Sequence, residues 1–163
     1  LLNARSIRNK QQDLQAFLEL SHLDVVLITE SWMSADDSDI LSSLPGYSTI
    51  RRDRNSRGGG LMAVVNSSLL PTHLEHHNPD AIELAWVSLT FKRTKWLLGI
   101  VYRPPNSDNN FFVHLQEACD SVQSDFPSYE GVILLGDFNI NWRDQSSLTA
   151  NLKEIKTRLV LLN

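Results

Sequence analysis

Short apolar runs separated by polar stretches are the main feature of this chain. The runs at residues 25–28, 61–65 and 132–135 are rich in aliphatic side chains, which is typical of buried β-strands. Two longer runs, at residues 82–89 and 95–102, predict strands that are joined as a hairpin by the polar residues between them. The pattern therefore predicts strands that need apolar cover on both faces.

Apolar residues at intervals of three and four predict helices between these strands. The first helix is expected at residues 13–23, with Asp13 as a plausible cap. A second helix is expected to end at Pro127, because proline cannot continue a helix. Its apolar face consists of Phe112, Leu115, Cys119, Val122 and Phe126. A third stripe predicts a final helix that reaches the end of the chain, and it consists of Leu148, Leu152, Ile155, Leu159 and Leu162.

Composition narrows the class of protein. A chain of 163 residues is the size of one domain, which buries about 68–70% of the surface of its unfolded chain. A hydrophobic content of 42%, without any apolar run of about 18 residues, excludes disorder and a membrane-spanning helix. The net charge of -4 gives no overall attraction to nucleic acid, so such binding would need local basic patches. The mixture of helices and strands predicts a layered α/β or α+β domain.

Polar side chains follow the predicted strands at the point where each strand ends. Glu30 follows the strand at 25–28, Tyr102 ends the strand at 95–102, and Asp137 and Asn139 follow the strand at 132–135. Asn3 follows Leu1-Leu2 in the same way. Ligands of open α/β sheets gather outside the carboxyl ends of strands. Each acid, taken alone, fits a strand that simply ends in a polar loop, but this explanation is weaker for the whole set.

These side chains offer hard oxygen ligands, without a pair of thiolates or a spaced pair of histidines. Oxygen ligands suit Mg²⁺ or Mn²⁺ rather than Zn²⁺. Because Mg²⁺ usually keeps positions for water and a substrate phosphate, cleavage of a phosphate ester is the reaction that this set favours.

One dense basic patch precedes a run of three glycines. It consists of Arg51, Arg52, Arg54 and Arg57. The patch is either a solvated loop or a contact to a phosphate backbone. The triglycine at 58–60 lacks the Gly-Lys-Ser/Thr ending of a P-loop, so we expect it to permit tight entry into the strand at 61–65.

Five segments in order along the chain resemble the endonuclease/exonuclease/phosphatase superfamily, and most closely the apurinic-type endonuclease domain of LINE-type non-LTR retrotransposons. They read LLNARSIRNK, DVVLITESW, GGGLMAVV, VYRPP and GDFN. The resemblance implies a DNase I-like α/β sandwich, in which two sheets are flanked by helices. It also implies one domain over residues 1–163 that starts within its first strand and lacks the C-terminal strands of the family.

The resemblance assigns roles to the polar side chains at the strand ends. It implies that Glu30 ligates Mg²⁺ or Mn²⁺ and that Asn3 supports the metal site. Asp137 would align or deprotonate the attacking water, and Asn139 would hold the phosphate in place. Tyr102 would lie against the scissile phosphate.

Substrate binding is assigned more broadly. We expect Arg103, in the VYRPP segment, to contact the substrate together with Arg51, Arg52 and Arg54. The implied partners are DNA and a reverse transcriptase domain in the same polyprotein, with no membrane. The implied location is nuclear, with cytoplasmic passage.

The chain departs from the family pattern in one respect, because it contains no Asp-His dipeptide. The family has a Ser-Asp-His segment late in the domain, so we expect residues 1–163 alone to be inactive. The hypothesis is an endonuclease domain that nicks target DNA to prime reverse transcription. The alternatives are another phosphodiesterase or phosphatase of the superfamily, or a non-catalytic relic or binding module that keeps the fold.

Overall fold

The computed structural model describes residues 1–37, 44–54, 58–108 and 110–140, together with residues 153, 155 and 160–162. The strands are β1 (Leu2–Asn3), β2 (Val25–Thr29), β3 (Tyr47–Arg52), β4 (Leu61–Asn66), β5 (Thr72–His73), β6 (Glu83–Phe91), β7 (Thr94–Tyr102), β8 (Gly131–Asp137) and β9 (Val160–Leu162). The helices are α1 (Gln11–Ser21) and α2 (Asn110–Asp125), and short 3₁₀ turns lie at Ala35–Asp37, Ser67–Leu69 and Glu75–His77.

The described strands form two mixed sheets. Sheet 1 has the order β1-β2-β4-β3, and sheet 2 has the order β5-β6-β7-β8-β9. In sheet 1, β1 runs parallel to β2, and in sheet 2, β7, β8 and β9 run parallel to one another. The remaining neighbours are antiparallel. The carboxyl ends of β1 and β2 therefore lie side by side, as do those of β7 and β8.

The two sheets pack face to face, and one helix covers the outer face of each. Strand β4 shows how the sequence produces these layers, since all five of its apolar side chains are buried. Leu61, Ala63 and Val65 belong to the layer between the sheets, whereas Met62 and Val64 pack with α1. This alternation follows from the two-residue period of a strand. The predicted layered sandwich, with two sheets flanked by helices, is confirmed.

The first helix forms close to its predicted position but with different ends. It begins at Gln11, and its N-cap is Lys10, which makes no side-chain capping bond. The predicted cap, Asp13, lies inside the first turn instead, where a negative charge favours the helix dipole. The helix ends because His22 adopts φ 50°, and its N–H donates to the Leu18 carbonyl. No described helix is long and apolar enough to cross a membrane.

The predicted hairpin between β6 and β7 is confirmed. Its two turn residues, Lys92 and Arg93, have φ values of 48° and 70°. Positive φ at both positions matches the twist of the flanking strands. In contrast, β3 and β5 were not predicted, because β3 mixes polar and apolar residues and β5 has only two residues.

The prediction of a final helix that reaches the chain end is wrong. Lys153 and Ile155 are helical, and Ile155 is buried, but Val160–Leu162 form β9 alongside β8. A short apolar run satisfies either period, and here the edge of β8 supplies parallel backbone partners. Leu148, Leu152 and Leu159 lie outside the described residues. The predicted domain limits stay a prediction.

Gly136 of β8 lies directly against Val101 of β7, and we expect it to tolerate no side chain. A Cβ at this position would lie 2.1 Å from the Val101 carbonyl oxygen, which belongs to backbone and cannot move aside. Gly136→Ala should therefore lower the free energy of unfolding by about 3 kcal/mol. The measurement is urea unfolding followed by circular dichroism.

Gly131→Ala, in the same strand, is the matched control. Its added methyl would meet the edge of the Trp96 ring at 3.1 Å, and a side chain can shift. We expect a loss below about 1 kcal/mol for this variant. Equal losses for the two variants would contradict the close approach at Gly136.

Candidate active site

Four polar side chains from both sheets meet at the carboxyl ends of their strands. The Asn3 amide donates to Glu30 Oε1 at 2.9 Å and to Asp137 Oδ2 at 3.0 Å. The Tyr102 hydroxyl also donates to Glu30 Oε1, at 3.1 Å. Because Asn3 belongs to sheet 1 and Asp137 to sheet 2, this cluster bridges the two sheets. The structure thus brings together four of the residues predicted from sequence.

The backbone turns sharply at Glu30, directly after β2. Glu30 has φ 53°, in the left-handed region that non-glycine residues seldom adopt. Hydrogen bonds hold the turn from the side of β1, since Ala4 N–H donates to the Thr29 carbonyl at 3.0 Å and Ser6 N–H to the Glu30 carbonyl at 2.9 Å. The carboxylate is thereby directed from the end of the sheet towards Asn3 and Tyr102.

Tyr102 acts as a neutral hydrogen-bond donor. Its side chain is buried at the end of β7. Burial, and then the negative charge of Glu30, raise the pKa of Tyr102 to about 12. The hydroxyl therefore keeps its proton at neutral pH and can donate to an anionic oxygen.

Asp137 and Asn139 form a tight turn after β8. The Asn139 backbone N–H donates to Asp137 Oδ1 at 3.2 Å, and Asn139 has φ 47°. The Asn139 side-chain amide donates to the Arg103 carbonyl at 2.7 Å, and the Arg103 N–H donates to the Asp137 carbonyl at 2.8 Å. These bonds join the ends of β7 and β8 and fix the direction of the Asp137 carboxylate.

Arg103 does not extend into the cluster. It is buried, and its guanidinium donates to the carbonyls of Ser107 and Phe138. It also lies over the rings of Phe111 and Phe112, at 6.0 and 5.2 Å from their centroids. The structure therefore gives Arg103 a place in the loop after β7, which differs from the substrate contact expected from sequence.

The described arginines of the basic patch form hydrogen bonds and ion pairs within the protein. Arg51 pairs with Asp53 and donates to two backbone carbonyls, and Arg52 donates to the carbonyls of Leu84 and Pro79 at 2.5 Å each. The structure thus gives both side chains partners within the protein, and a contact from either one to a phosphate backbone stays a prediction. Arg54 is 41% exposed, although it pairs with Glu83 at 2.9 Å. Arg57 lies outside the described residues.

Sequence reasoning missed Glu83, which begins β6. Its carboxylate accepts hydrogen bonds from Arg54 and from the Gly60 N–H. Burial, opposed by these donors, raises the pKa of Glu83 above its ordinary value. The signal was an acid between Ile82 and Leu84, at the start of a mostly apolar strand.

The donor set of the cluster fits a hard divalent cation. The carboxylates of Glu30 and Asp137 are hard oxygens of the kind that Mg²⁺ prefers, and one or two carboxylates suffice for it. The Asn3 NH₂ group faces both carboxylates, and its Oδ1 accepts from the Arg5 N–H at 3.3 Å, so Asn3 would offer its oxygen to a cation only after its amide turns over. Among the described residues, no group of three or more His, Cys, Asp and Glu side chains could hold a metal ion. A cation at this site would therefore depend on the two carboxylates and the amide.

Comparison with known proteins gives one family and one curated relative. Residues 1–152 match the Endonuclease/Exonuclease/phosphatase family. Over 104 residues, the chain is 31% identical to the RNA-directed DNA polymerase from mobile element jockey of Drosophila funebris. The match covers 62% of this chain and 11% of that protein.

Solved structures share the fold at low sequence identity. The endonuclease domain of TRAS1, a telomere-specific non-LTR retrotransposon, has a TM-score of 0.62 at 14% identity, over 94% of this chain and 64% of that chain. The mannosyl-6-phosphatase Bt3783 of Bacteroides thetaiotaomicron has a TM-score of 0.60 at 13% identity, over 89% and 61% of the two chains. D. rerio TDP2, complexed with single strand DNA product, has a TM-score of 0.53 at 18% identity, over 90% and 57%. This chain thus spans less than two thirds of each of these relatives.

The raised pKa of Tyr102 predicts a pH-dependent contribution to stability. In the unfolded chain the phenol ionises near its ordinary pKa of 10.0, and in the folded chain near about 12. The stabilising effect of Tyr102 is therefore fully present below pH 10 and is lost as the pH rises towards 12. At pH 8, Tyr102→Phe should be less stable by about 1 kcal/mol, because the bond to the Glu30 carboxylate is lost.

The measurement is urea unfolding of both proteins at pH 8 and pH 11. Other titrating groups affect the two proteins equally, so the difference between them isolates Tyr102. We expect this difference to shrink at pH 11. A difference that is constant with pH would contradict the buried, carboxylate-facing position of the hydroxyl.

Proposed function

Because the chain belongs to the Endonuclease/Exonuclease/phosphatase family, we propose that it is the metal-dependent endonuclease domain of a non-LTR retrotransposon polyprotein. Within that polyprotein it would nick target DNA to prime reverse transcription. The observation that carries the proposal is the convergence of Glu30 and Asp137 on the Asn3 amide at 2.9 and 3.0 Å. The likeness to the jockey polymerase supports the retrotransposon assignment.

Glu30 would hold Mg²⁺ or Mn²⁺, and Asn3 would support the site through its amide oxygen once the amide turns, since its NH₂ group now faces the carboxylates. When bound, the cation would stabilise the negative charge that develops on the phosphoryl oxygens. Asp137 would orient a water molecule and accept its proton while the water oxygen bonds to phosphorus and the ester P–O bond breaks. The leaving oxygen keeps the electron pair of that bond and takes a proton from solvent water. The fixed turn at Asn139 keeps the Asp137 carboxylate in that direction.

Tyr102 would donate its proton in a hydrogen bond to a phosphoryl oxygen. A neutral hydroxyl at a fixed position stabilises an oxyanion without a cost of reorganisation during the reaction. The polyprotein setting implies DNA and a reverse transcriptase domain as partners, and nuclear action after cytoplasmic passage. A phosphate contact from the former basic patch would come from Arg54, whose side chain is 41% exposed.

The metal assignment predicts the effect of removing one carboxylate. Glu30→Gln should weaken Mn²⁺ binding by about tenfold or more, since the charge at the end of β2 is lost. The measurement is calorimetric titration of Mn²⁺ into the 163-residue chain, with the fold checked by NMR. Glu75→Gln is the control, because Glu75 is exposed and lies on the 3₁₀ turn between β5 and β6. Equal binding by wild type and Glu30→Gln would contradict the assignment.

The catalytic assignment predicts loss of nicking without loss of fold. Asp137→Ala should reduce Mg²⁺-dependent nicking of supercoiled plasmid by about 10²–10⁴-fold, as expected when a positioned proton acceptor is removed. Residues 1–163 span 64% of the TRAS1 endonuclease chain, so the assay is run on the longest natural form of the protein as well. We expect residues 1–163 alone to nick no faster than buffer.

Asp13→Ala, which removes an exposed acid of α1, is the control for nicking. Equal nicking by Asp137→Ala and wild type would contradict the mechanism. Phosphate release from a 3′-phosphorylated oligonucleotide or a sugar phosphate, without nicking, would favour a phosphatase of the same family. DNA binding without either reaction would favour a non-catalytic module.

A further inference from the structure

Glu83 is a partly buried acid that the proposed chemistry does not use. It is the first residue of β6, and its side chain is 17% exposed. The rest of β6 as far as Leu89 is buried, so an ionisable group at this point bears a desolvation cost. Such a group is expected to have fixed partners, and both carboxylate oxygens of Glu83 have one.

The first partner is the triglycine turn before β4. Glu83 Oε2 accepts from the Gly60 N–H at 2.7 Å, and Oε1 accepts from the Arg54 guanidinium at 2.9 Å. A Cβ at Gly59 would lie 2.7 and 2.8 Å from the two carboxylate oxygens. Gly59 and Gly60 also have φ values of 73° and 85°. The carboxylate therefore lies directly on the glycine backbone, in a space that only glycine leaves open.

The same glycines hold the backbone that follows Glu30. The Ser31 N–H donates to the Gly60 carbonyl at 3.1 Å, and the Trp32 N–H donates to the Gly59 carbonyl at 3.0 Å. Glu30 and Trp32 both have positive φ, at 53° and 54°. Such positions persist only where surrounding contacts hold them. The path from Glu83 through the glycine turn thus ends at the backbone that directs the Glu30 carboxylate.

A second path runs through β7. Glu83 is paired with Tyr102 in the antiparallel register of β6 and β7. The Tyr102 hydroxyl then donates to Glu30 Oε1 at 3.1 Å. Glu83 is therefore connected to Glu30 in two ways. The glycine turn leads to the backbone that follows Glu30, and Tyr102 leads to the Glu30 carboxylate.

We propose that Glu83 is a positioning residue, which holds the triglycine turn and thereby sets the direction of the Glu30 carboxylate. The metal-binding part of this proposal rests on the proposed function. The physical requirement is reach, because the acceptor must extend from β6 to the Gly60 N–H. The negative charge pairs with Arg54 and strengthens the bond from the Gly60 N–H, but side-chain length decides whether that bond forms at all.

Two substitutions separate reach from charge. Glu83→Gln keeps the length and an oxygen acceptor for the Gly60 N–H but loses the charge. Glu83→Asp keeps the charge but is one methylene shorter, so it cannot reach Gly60 from the same backbone position. Positioning predicts that Gln behaves like wild type and that Asp does not, whereas a direct electrostatic effect on a bound cation predicts the reverse.

Amide hydrogen exchange, measured by NMR in the absence of metal, tests the backbone path from Glu83 through the glycine turn to Ser31 and Trp32. In Glu83→Asp, the Ser31 and Trp32 amides should exchange faster than in wild type, while amides in the centre of β6 keep their protection. In Glu83→Gln, both amides should keep wild-type protection. Unfolding of the Gln variant would contradict the proposal, because that variant retains the acceptor.

Binding of Mn²⁺, measured by calorimetry, tests whether substitution of Glu83 affects the Glu30 carboxylate. Glu83→Asp should bind Mn²⁺ about 10–100-fold more weakly than wild type, as is typical when support of a metal ligand is lost, and Glu83→Gln should not. Wild-type affinity in both variants would overturn the proposal. So would faster exchange in Glu83→Asp with unchanged affinity, since Glu83 would then support only the local fold.

Failure of the proposed function gives a different result. A wild-type chain that binds no Mn²⁺ would contradict the metal site itself, and exchange at Ser31 and Trp32 would then decide the role of Glu83 in holding the turn. Weaker binding in Glu83→Gln than in Glu83→Asp would overturn positioning, because charge rather than reach would then govern affinity.

Discussion

The apolar layer between the two sheets holds the candidate active site together. Glu30 follows a strand of sheet 1 and Asp137 ends a strand of sheet 2, so no backbone ladder connects them. Their spacing depends instead on side chains such as Leu27 and Ile100, which pack against each other's sheet. Two carboxylates that lie close together repel each other unless donors compensate them. The Asn3 amide, which donates to both, supplies that compensation at the junction of the sheets.

Local backbone geometry is the second requirement of the site. Glu30, Trp32 and Asn139 all have positive φ, which costs about 1–3 kcal/mol for each non-glycine residue. Gly59 and Gly60, which also have positive φ, accept hydrogen bonds from the Trp32 and Ser31 N–H groups of that segment. The stability of the packed sheets offsets this strain, and the carboxylates are therefore carried by rigid backbone. Rigid support of this kind is what precise placement of a reacting group needs.

The fold alone does not select a substrate. The relatives of similar fold include a retrotransposon endonuclease domain, a sugar phosphatase and a DNA-bound protein. A cluster of oxygen donors suits any phosphate ester, so discrimination depends on surfaces around it. In this chain the guanidinium groups of Arg52 and Arg103 donate hydrogen bonds to backbone carbonyls of the protein itself. The basic surface is therefore smaller than the count of arginines indicates.

The sequence by itself determined the layered class, the main strands and the identity of the clustered side chains. Strands such as β4 are apolar on both faces, and Glu30 and Asp137 directly follow or end such strands, so their positions along the chain already indicated the carboxyl ends of strands. The family motifs pointed to the same residues. These features are local, because strand period and strand ends are properties of neighbouring residues.

Tertiary structure decided what depends on residues far apart in the chain. The apolar run at 160–162 fits a helix or a strand, and pairing with β8 selected the strand. The arginines near residue 52 fitted either a solvated loop or a phosphate contact by sequence, and the fold supplied carbonyls and a carboxylate as partners for Arg51 and Arg52. Glu83 appeared as an isolated acid, and only the register of β6 and β7 and the approach of Gly60 gave it partners. The sequence specifies which charged groups the chain carries, but packing between distant segments determines the partner of each group.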